Sequence, residues 1–185
     1  LHEGDVFLPL MGERTDGHNF IDQALKSGAV AAFTARKPGT LLPGKGYILV
    51  KDTAAVPATL AAWYRSRFTI PYVSVTGSVG KTTTKDMVAA VLSEKFSVYK
   101  TPGNHNNTLG VPMALLDLTH EHQVGVMEMG MNHAGEIDFI SALIKPSITL
   151  ITNIGDAHIE NLGSRKGILA AKAEVFAHMP EDGLA

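Results

Sequence analysis

The chain contains no cysteine. That excludes disulfide staples and thiolate metal sites, and it fits a reducing compartment. It also lacks an uninterrupted apolar run long enough to cross a bilayer and any leader-like opening, so a cytoplasmic protein with no membrane partner is expected. Charge of one sign is scarce: 16 Lys and Arg stand against 18 Asp and Glu, for a formal net charge of -2. No global attraction to nucleic acid or to an anionic membrane follows from such a balance. There is no internal repeat and no low-complexity tract. What is present is enough apolar material for a core, 45% hydrophobic against 18% charged over 185 residues, which argues against disorder.

Two segments separate near residue 70, giving expected domains 1–70 and 71–185. In the first, Val6–Leu10, Val30–Thr34 and Tyr47–Val50 read as strands, and Asn19–Ser27 and Ala54–Arg67 as helices. Pro71 disfavours helix in the residue before it, so the Phe68–Pro71 stretch reads as a hinge. The second segment alternates more strictly. Strands are expected at Val73–Thr76, Ser97–Lys100, Val124–Met129 and Ile148–Thr152, with helices at Lys81–Lys95, Leu109–Leu116, Ala134–Ile144 and Lys166–His178. Continuous apolar strands alternating with amphipathic helices predict an α/β fold. A small α/β N-terminal domain is followed by a mostly parallel, P-loop-type sheet with helices on both faces. In such sheets ligands bind beyond the carboxyl ends of the strands. Both ends of the chain read as cut: it opens on Leu1 with a turn into a strand and stops just after the turn Asp182-Gly183.

The chemistry-bearing residues follow strands. After Val73–Thr76 comes Gly77-Ser78-Val79-Gly80-Lys81-Thr82-Thr83-Thr84. Glycines let the backbone approach an anion, and a helix N-terminus adds its positive end. Lys81 would reach terminal phosphates and the Thr82 hydroxyl a Mg²⁺ ion. The spacing is shorter than G-x-x-x-x-G-K-[ST], because Val75 stands where the first glycine belongs. After Val124–Met127 comes Glu128, an acid placed to hold Mg²⁺ opposite the loop threonine. After Thr149–Thr152 comes His158, which can be a metal ligand, a general base or a surface histidine, with Asp156 and Glu160 as competing acids or as orienting partners. The loop Thr101–Thr108, with Asn104 and Asn107, suits turn chemistry and a helix N-cap as well as phosphate contact. Lys172, in a mostly apolar helix, reads by itself as a lysine that snorkels to solvent. Asp16, in the turn Arg14–His18, reads by itself as a turn former.

Taken together these segments resemble the Mur ligases, ATP-dependent amide-forming enzymes of peptidoglycan synthesis. The short form Thr76-Gly77-Ser78-Val79-Gly80-Lys81-Thr82-Thr83 is similar to that family's loop. So are Gly103–Pro112, Glu128-Met129-Gly130 with Gly135-Glu136-Ile137, Thr152–His158, Lys172-Ala173-Glu174, and the opening Gly4–Phe7 with Asp16-Gly17-His18 and Phe20-Ile21. The resemblance implies that ATP phosphates are wrapped by Gly77, Ser78, Val79, Gly80, Lys81, Thr82 and Thr83, with Asn104 and Asn107 nearby. It implies two Mg²⁺ sites built from Thr82, Glu128, His158 and Lys172, the last carbamylated by CO₂ into a carboxylate-like ligand. Lys81, Glu128, His158 and Lys172 form the implied catalytic set.

The first segment would grip the substrate, UDP-N-acetylmuramoyl-tripeptide, through Asp16 and His18, and D-alanyl-D-alanine would be the incoming amine. The implied protein is a monomer. The family's later domains would supply the amine site, so this chain alone is expected to lack ligase activity. Other ligases of the superfamily that add a single amino acid, and a P-loop NTPase of non-ligase function, are the alternatives; a binding module without catalysis comes last.

Overall fold

A computed structural model describes residues 1–12 and 14–185. The chain divides into two contact-dense units, Leu1–Val56 and Pro57–Ala185. In the first, three strands form a parallel sheet in the order β1-β2-β3: β1 (Val6–Phe7), β2 (Ala31–Thr34) and β3 (Gly46–Leu49). β1 is shorter than the expected Val6–Leu10 run. The chain instead turns back on itself beyond Pro9, with Gly17 N donating to Leu10 O at 2.9 Å and Met11 bridged to Asp16. A 3₁₀ turn (Gly17–Phe20) leads into α1 (Ile21–Lys26), which buries Ile21, Ala24 and Leu25; Ile21 and Leu25 pack with Ala29 and Ala32.

The second unit is built on four parallel strands in the order β5-β6-β4-β7: β4 (Tyr72–Thr76), β5 (Val98–Lys100), β6 (Val124–Glu128) and β7 (Ile148–Ile151). β4 and β6 are buried along their whole length, as central strands covered on both faces must be. Leu184 forms a further parallel bridge to Ile148. Side chains alternate between two cores. Val73, Val124 and Val126 pack against Ala89, Val88 and Leu92 of α3 (Lys81–Ser93). Tyr72, Tyr99 and Met127 pack with residues of α2 (Val56–Arg65), α4 (Gly110–Leu115), α5 (Glu136–Ile144) and α7 (Arg165–Ala173). A short α6 (Ile159–Leu162) precedes α7, and a 3₁₀ turn (Glu174–His178) follows it. Among the described residues no helix is long and apolar enough to cross a membrane.

One grouping differs from the expected division at residue 70. α2 belongs with the second unit because its inner face is spent there. Ala61 and Tyr64 pack in the larger core, Tyr64 Oη donates to Leu118 O at 2.7 Å, and Arg65 Nε donates to Ile144 O at 2.9 Å while its guanidinium lies 4.5 Å above the Tyr72 ring. That ring in turn requires its strand neighbour to be glycine. Tyr72 pairs with Gly125 across β4 and β6, and a Cβ on Gly125 would lie 2.5 Å from Tyr72 Cδ1. Gly125→Ala should therefore destabilise the fold by about 1–3 kcal/mol through overpacking. Urea unfolding would read this as a lower midpoint, and an unchanged midpoint would show that the ring can move aside.

Candidate active site at the carboxyl edge of the parallel sheet

Because β4, β5, β6 and β7 are all parallel, the loops that follow them leave from one edge. The β4 loop carries its glycines for two different reasons. Gly77 has φ +146°, and a Cβ there would run into Thr152 Oγ1; Gly80, at φ +82°, is the left-handed residue that starts α3. The loop is clamped to the segment after β7. Ser78 N donates to Asn153 O at 3.1 Å and Val79 N to Asn153 Oδ1 at 3.2 Å, while Val79 O accepts from Thr152 Oγ1 at 2.6 Å and Asn153 Nδ2 at 3.1 Å. Ser78 Oγ accepts from Gly155 N at 2.9 Å. Ser78 and Val79 thus spend their N–H groups inside the protein. The first intrahelical bond of α3 runs from Thr84 N to Gly80 O, so the N–H groups of Gly80, Lys81, Thr82 and Thr83 are the unsatisfied donors of the helix start. Lys81 Nζ folds back to Gly77 O at 2.9 Å.

Lys81, His158 and Lys172 line a single cavity of about 340 Å³ together with Asn106, Asn107 and Glu136. His158 has φ +66°, and its ring makes no hydrogen bond among the described residues. Lys172 is 2% exposed, so it does not snorkel. Burial, reinforced by the charge of Lys81, lowers its pKa to about 8. Asp156 does not orient His158. Its carboxylate is taken by Arg165, Nε to Oδ1 at 2.6 Å and Nη2 to Oδ2 at 2.7 Å, and that hydrogen-bonded pairing holds its pKa below the usual carboxylate value.

Glu128 is 1% exposed at the end of β6. Its N–H donates to Thr101 Oγ1 at 2.9 Å and its Oε1 accepts from Asn106 Nδ2 at 2.8 Å, but its buried Oε2 has no hydrogen-bond partner. A buried carboxylate oxygen left with open lone pairs suits a hard cation. No group of three or more His, Asp or Glu side chains able to cage an ion occurs among the described residues. Thr82 and Thr83 are exposed on the first turn of α3. Asn107 Oδ1 accepts from Leu109 N and Gly110 N at 3.1 and 2.7 Å, the turn chemistry expected of it, and also lines the cavity. Asn104 is exposed and contributes its carbonyl to Asn106 N at 2.7 Å; it does not line the cavity. Lys85, Asn106, Thr152 and Asn153 are residues to which sequence patterns alone assign no individual role. A lysine four residues after Lys81, on the same helix face, is the available signal for Lys85.

In the first unit Asp16 does act as a turn former. Its Oδ1 accepts from His18 N at 2.9 Å and His18 Nδ1 at 2.7 Å, and Arg36 Nη2 pairs with Oδ2 at 2.5 Å. These bonds, the His18 backbone N–H first, hold its carboxyl below the usual value. Ala35 N donates to His18 Nε2 at 3.1 Å, leaving Nδ1 as the nitrogen that carries hydrogen. Both ring nitrogens are thus engaged within the unit. His18 and Arg36 line a cavity of about 250 Å³ with Thr34, Lys37, Thr40 and Tyr47.

The Mur ligase middle domain matches residues 75–185, and the catalytic domain of the Mur ligase family matches residues 1–76. The UDP-N-acetylmuramoyl-tripeptide–D-alanyl-D-alanine ligase of Synechocystis sp. is 49% identical over 185 residues, all of this chain and 41% of the relative. The ligase of that name from Escherichia coli is 44% identical over all of this chain and 40% of its own length. The structure of MurF from Acinetobacter baumannii superposes with a TM-score of 0.93 at 42% identity, covering 98% of this chain and 40% of that one. MurF from Thermotoga maritima in complex with ADP superposes with a TM-score of 0.88 at 38% identity, covering 98% and 42%. The chain thus spans about two-fifths of the length of these relatives, and by the match of its larger unit it belongs to the Mur ligase family.

Proposed function

We propose that this chain carries the nucleotide-binding and part of the substrate-binding apparatus of an ADP-forming ligase. The enzyme joins D-alanyl-D-alanine to UDP-N-acetylmuramoyl-tripeptide, as a monomer in the cytoplasm. The observation that carries the proposal is one cavity at the carboxyl edge of the sheet, lined by Lys81, His158 and Lys172 beside a glycine-turned helix start with free N–H groups. The ADP complex of a relative at 38% identity supports ATP as the phosphoryl donor.

In this reading Gly80, Lys81, Thr82 and Thr83 N–H groups hold the nucleotide phosphates, and Lys81 Nζ exchanges the Gly77 carbonyl for a phosphate oxygen. A tripeptide carboxylate oxygen attacks the γ-phosphorus and the bond to the β-phosphate oxygen breaks, releasing ADP. The amine of D-alanyl-D-alanine then attacks the acyl carbon and loses a proton; phosphate leaves with the former carboxylate oxygen. Thr82, Glu128 and His158, with Lys172 once carbamylated, are the residues that would hold Mg²⁺, whose contribution is to offset the charge of two anions brought together. The Asp16–His18–Arg36 network holds Arg36 at a cavity suited to an anionic portion of the UDP-sugar-peptide.

The direct test is phosphate release from ATP by the intact protein given UDP-N-acetylmuramoyl-tripeptide. Release should require D-alanyl-D-alanine and fall by about 10²–10³-fold in Lys81→Ala. Release supported by a single amino acid would assign the protein to another branch of the family, and substrate-independent release would make it an NTPase instead.

Carbamylation needs a neutral amine. With its pKa lowered to about 8, roughly a quarter of Lys172 is neutral at pH 7.5, against about one in a thousand for an ordinary lysine. At fixed dissolved ¹³CO₂, a carbamate ¹³C signal should therefore rise steeply from pH 6 to 8, while Lys172 is still losing its proton, continue to rise above that because carbamate formation itself releases a proton, and be missing in Lys172→Arg. A signal of equal size in that variant would place the carbamate elsewhere.

A further inference from the structure

Lys85 is a buried cation that the phosphate chemistry does not use. It lies one turn beyond Lys81 on α3, with its side chain 3% exposed. Nζ donates to Thr101 O at 3.1 Å and to Gly103 O at 3.4 Å. It stands 3.8 Å from Glu128 Oε2 and 3.7 Å from Asp86 Oδ1. Asp86 is half-exposed and already accepts from Lys100 Nζ at 2.8 Å. Glu128 is the opposite case: wholly buried, with Oε1 held by Asn106 and Oε2 without a hydrogen bond. Among the described residues, Lys85 is the cation recorded as an ion-pair partner of that oxygen.

The separation matters. At 3.8 Å the ammonium acts on Oε2 by charge but takes none of its lone pairs, because the distance is beyond hydrogen-bond range. Two of its three donors are fixed on the carbonyls that flank Pro102, so its position is set by the backbone and not by the carboxylate. The same two bonds tie this turn to α3, and the segment just after it delivers Asn106 to the other carboxylate oxygen.

We propose that Lys85 is a positioning residue for Glu128, aiming the free Oε2 at a divalent cation while leaving its lone pairs open. The proposal rests on reading the site as a metal–nucleotide centre. Its action runs through Glu128, so its effect should vanish when Glu128 can no longer serve.

The test is a double-mutant cycle in the intact protein, with Mn²⁺ as the probe, ADP present, and free Mn²⁺ counted by electron paramagnetic resonance. Lys85→Met should weaken Mn²⁺ binding about tenfold, a coupling of about 1.4 kcal/mol. Glu128→Gln should weaken it at least as much, and the double variant should be no weaker than Glu128→Gln alone. If Lys85→Met does not fold, by circular dichroism, Lys85→Gln removes the charge and keeps a donor, with the same expectation. A Lys85 effect that persists undiminished in the Glu128→Gln background would reduce Lys85 to a structural filler and overturn the proposal, as would unchanged binding in Lys85→Met. Equal Mn²⁺ binding by wild type and Glu128→Gln would instead refute the metal reading of the site, and the proposal with it.

Discussion

The parallel pairing of β4 with both β6 and β7 is the constraint on which the second unit depends. Val73 and Val75 of β4 pair with Val126 and Glu128 on one side and with Ile148 and Leu150 on the other. That register brings the end of each strand, and so the loop after it, to one edge. Slipping β6 by one residue would exchange its faces. Met127 would leave the larger core, and Glu128 would point away from the Thr101 and Asn106 groups that hold it. The tight approach of Tyr72 to Gly125 makes such a slip costly, since only a glycine opposite the ring leaves room for it. Packing in the core and placement of the charged groups are thus set by one register.

The edge then concentrates charges that a folding chain would ordinarily keep in water. Lys85, Glu128 and Lys172 are each under about 3% exposed. Burying an ion costs several kcal/mol unless it is paired or hydrogen-bonded, and single buried charges are retained where chemistry needs them. Here the compensation is partial. Lys85 has carbonyls and a distant carboxylate, Glu128 keeps one oxygen unsatisfied, and Lys172 has a like charge for a neighbour. Of these, the bare Oε2 of Glu128 is the group whose environment a cation would complete. Ser78 and Val79, by contrast, are already satisfied by the Thr152–Gly155 segment, so the loop is held in shape beforehand and little reorganisation is left for binding.

Much of this is legible in the sequence, for identifiable reasons. Val124–Met127 carries no polar side chain, and Val73–Thr76 places only the small hydroxyls of Ser74 and Thr76 opposite its valines; both patterns mark strands covered on both sides, and Gly80-Lys81-Thr82 after the second of these runs marks a glycine turn at a helix start. The side to which α2 belongs is less accessible. Its apolar stripe is visible, but a stripe does not say which core it faces, and Arg65 and Tyr64 commit it to the second through bonds to Ile144 and Leu118 that are distant in sequence. Lys172 illustrates the same limit. A lysine in a mostly apolar helix reads as one that snorkels to solvent until the packing of that helix buries it. Asp156 looks like a partner for His158, yet Arg165 on the next helix offers a bidentate fork whose geometry an imidazole cannot match. Lys85 is inconspicuous after a run of threonines because its partners come from the β5 and β6 ends.

The central claim is that the start of α3 receives nucleotide phosphates through N–H groups the fold leaves free. Amide hydrogen exchange with and without Mg²⁺ and ADP tests it most directly. The account predicts slower exchange at Gly80, Lys81, Thr82 and Thr83 when nucleotide is added, and loss of that protection in Lys81→Ala. Unchanged exchange at these four amides, with nucleotide bound by an independent measure, would contradict it.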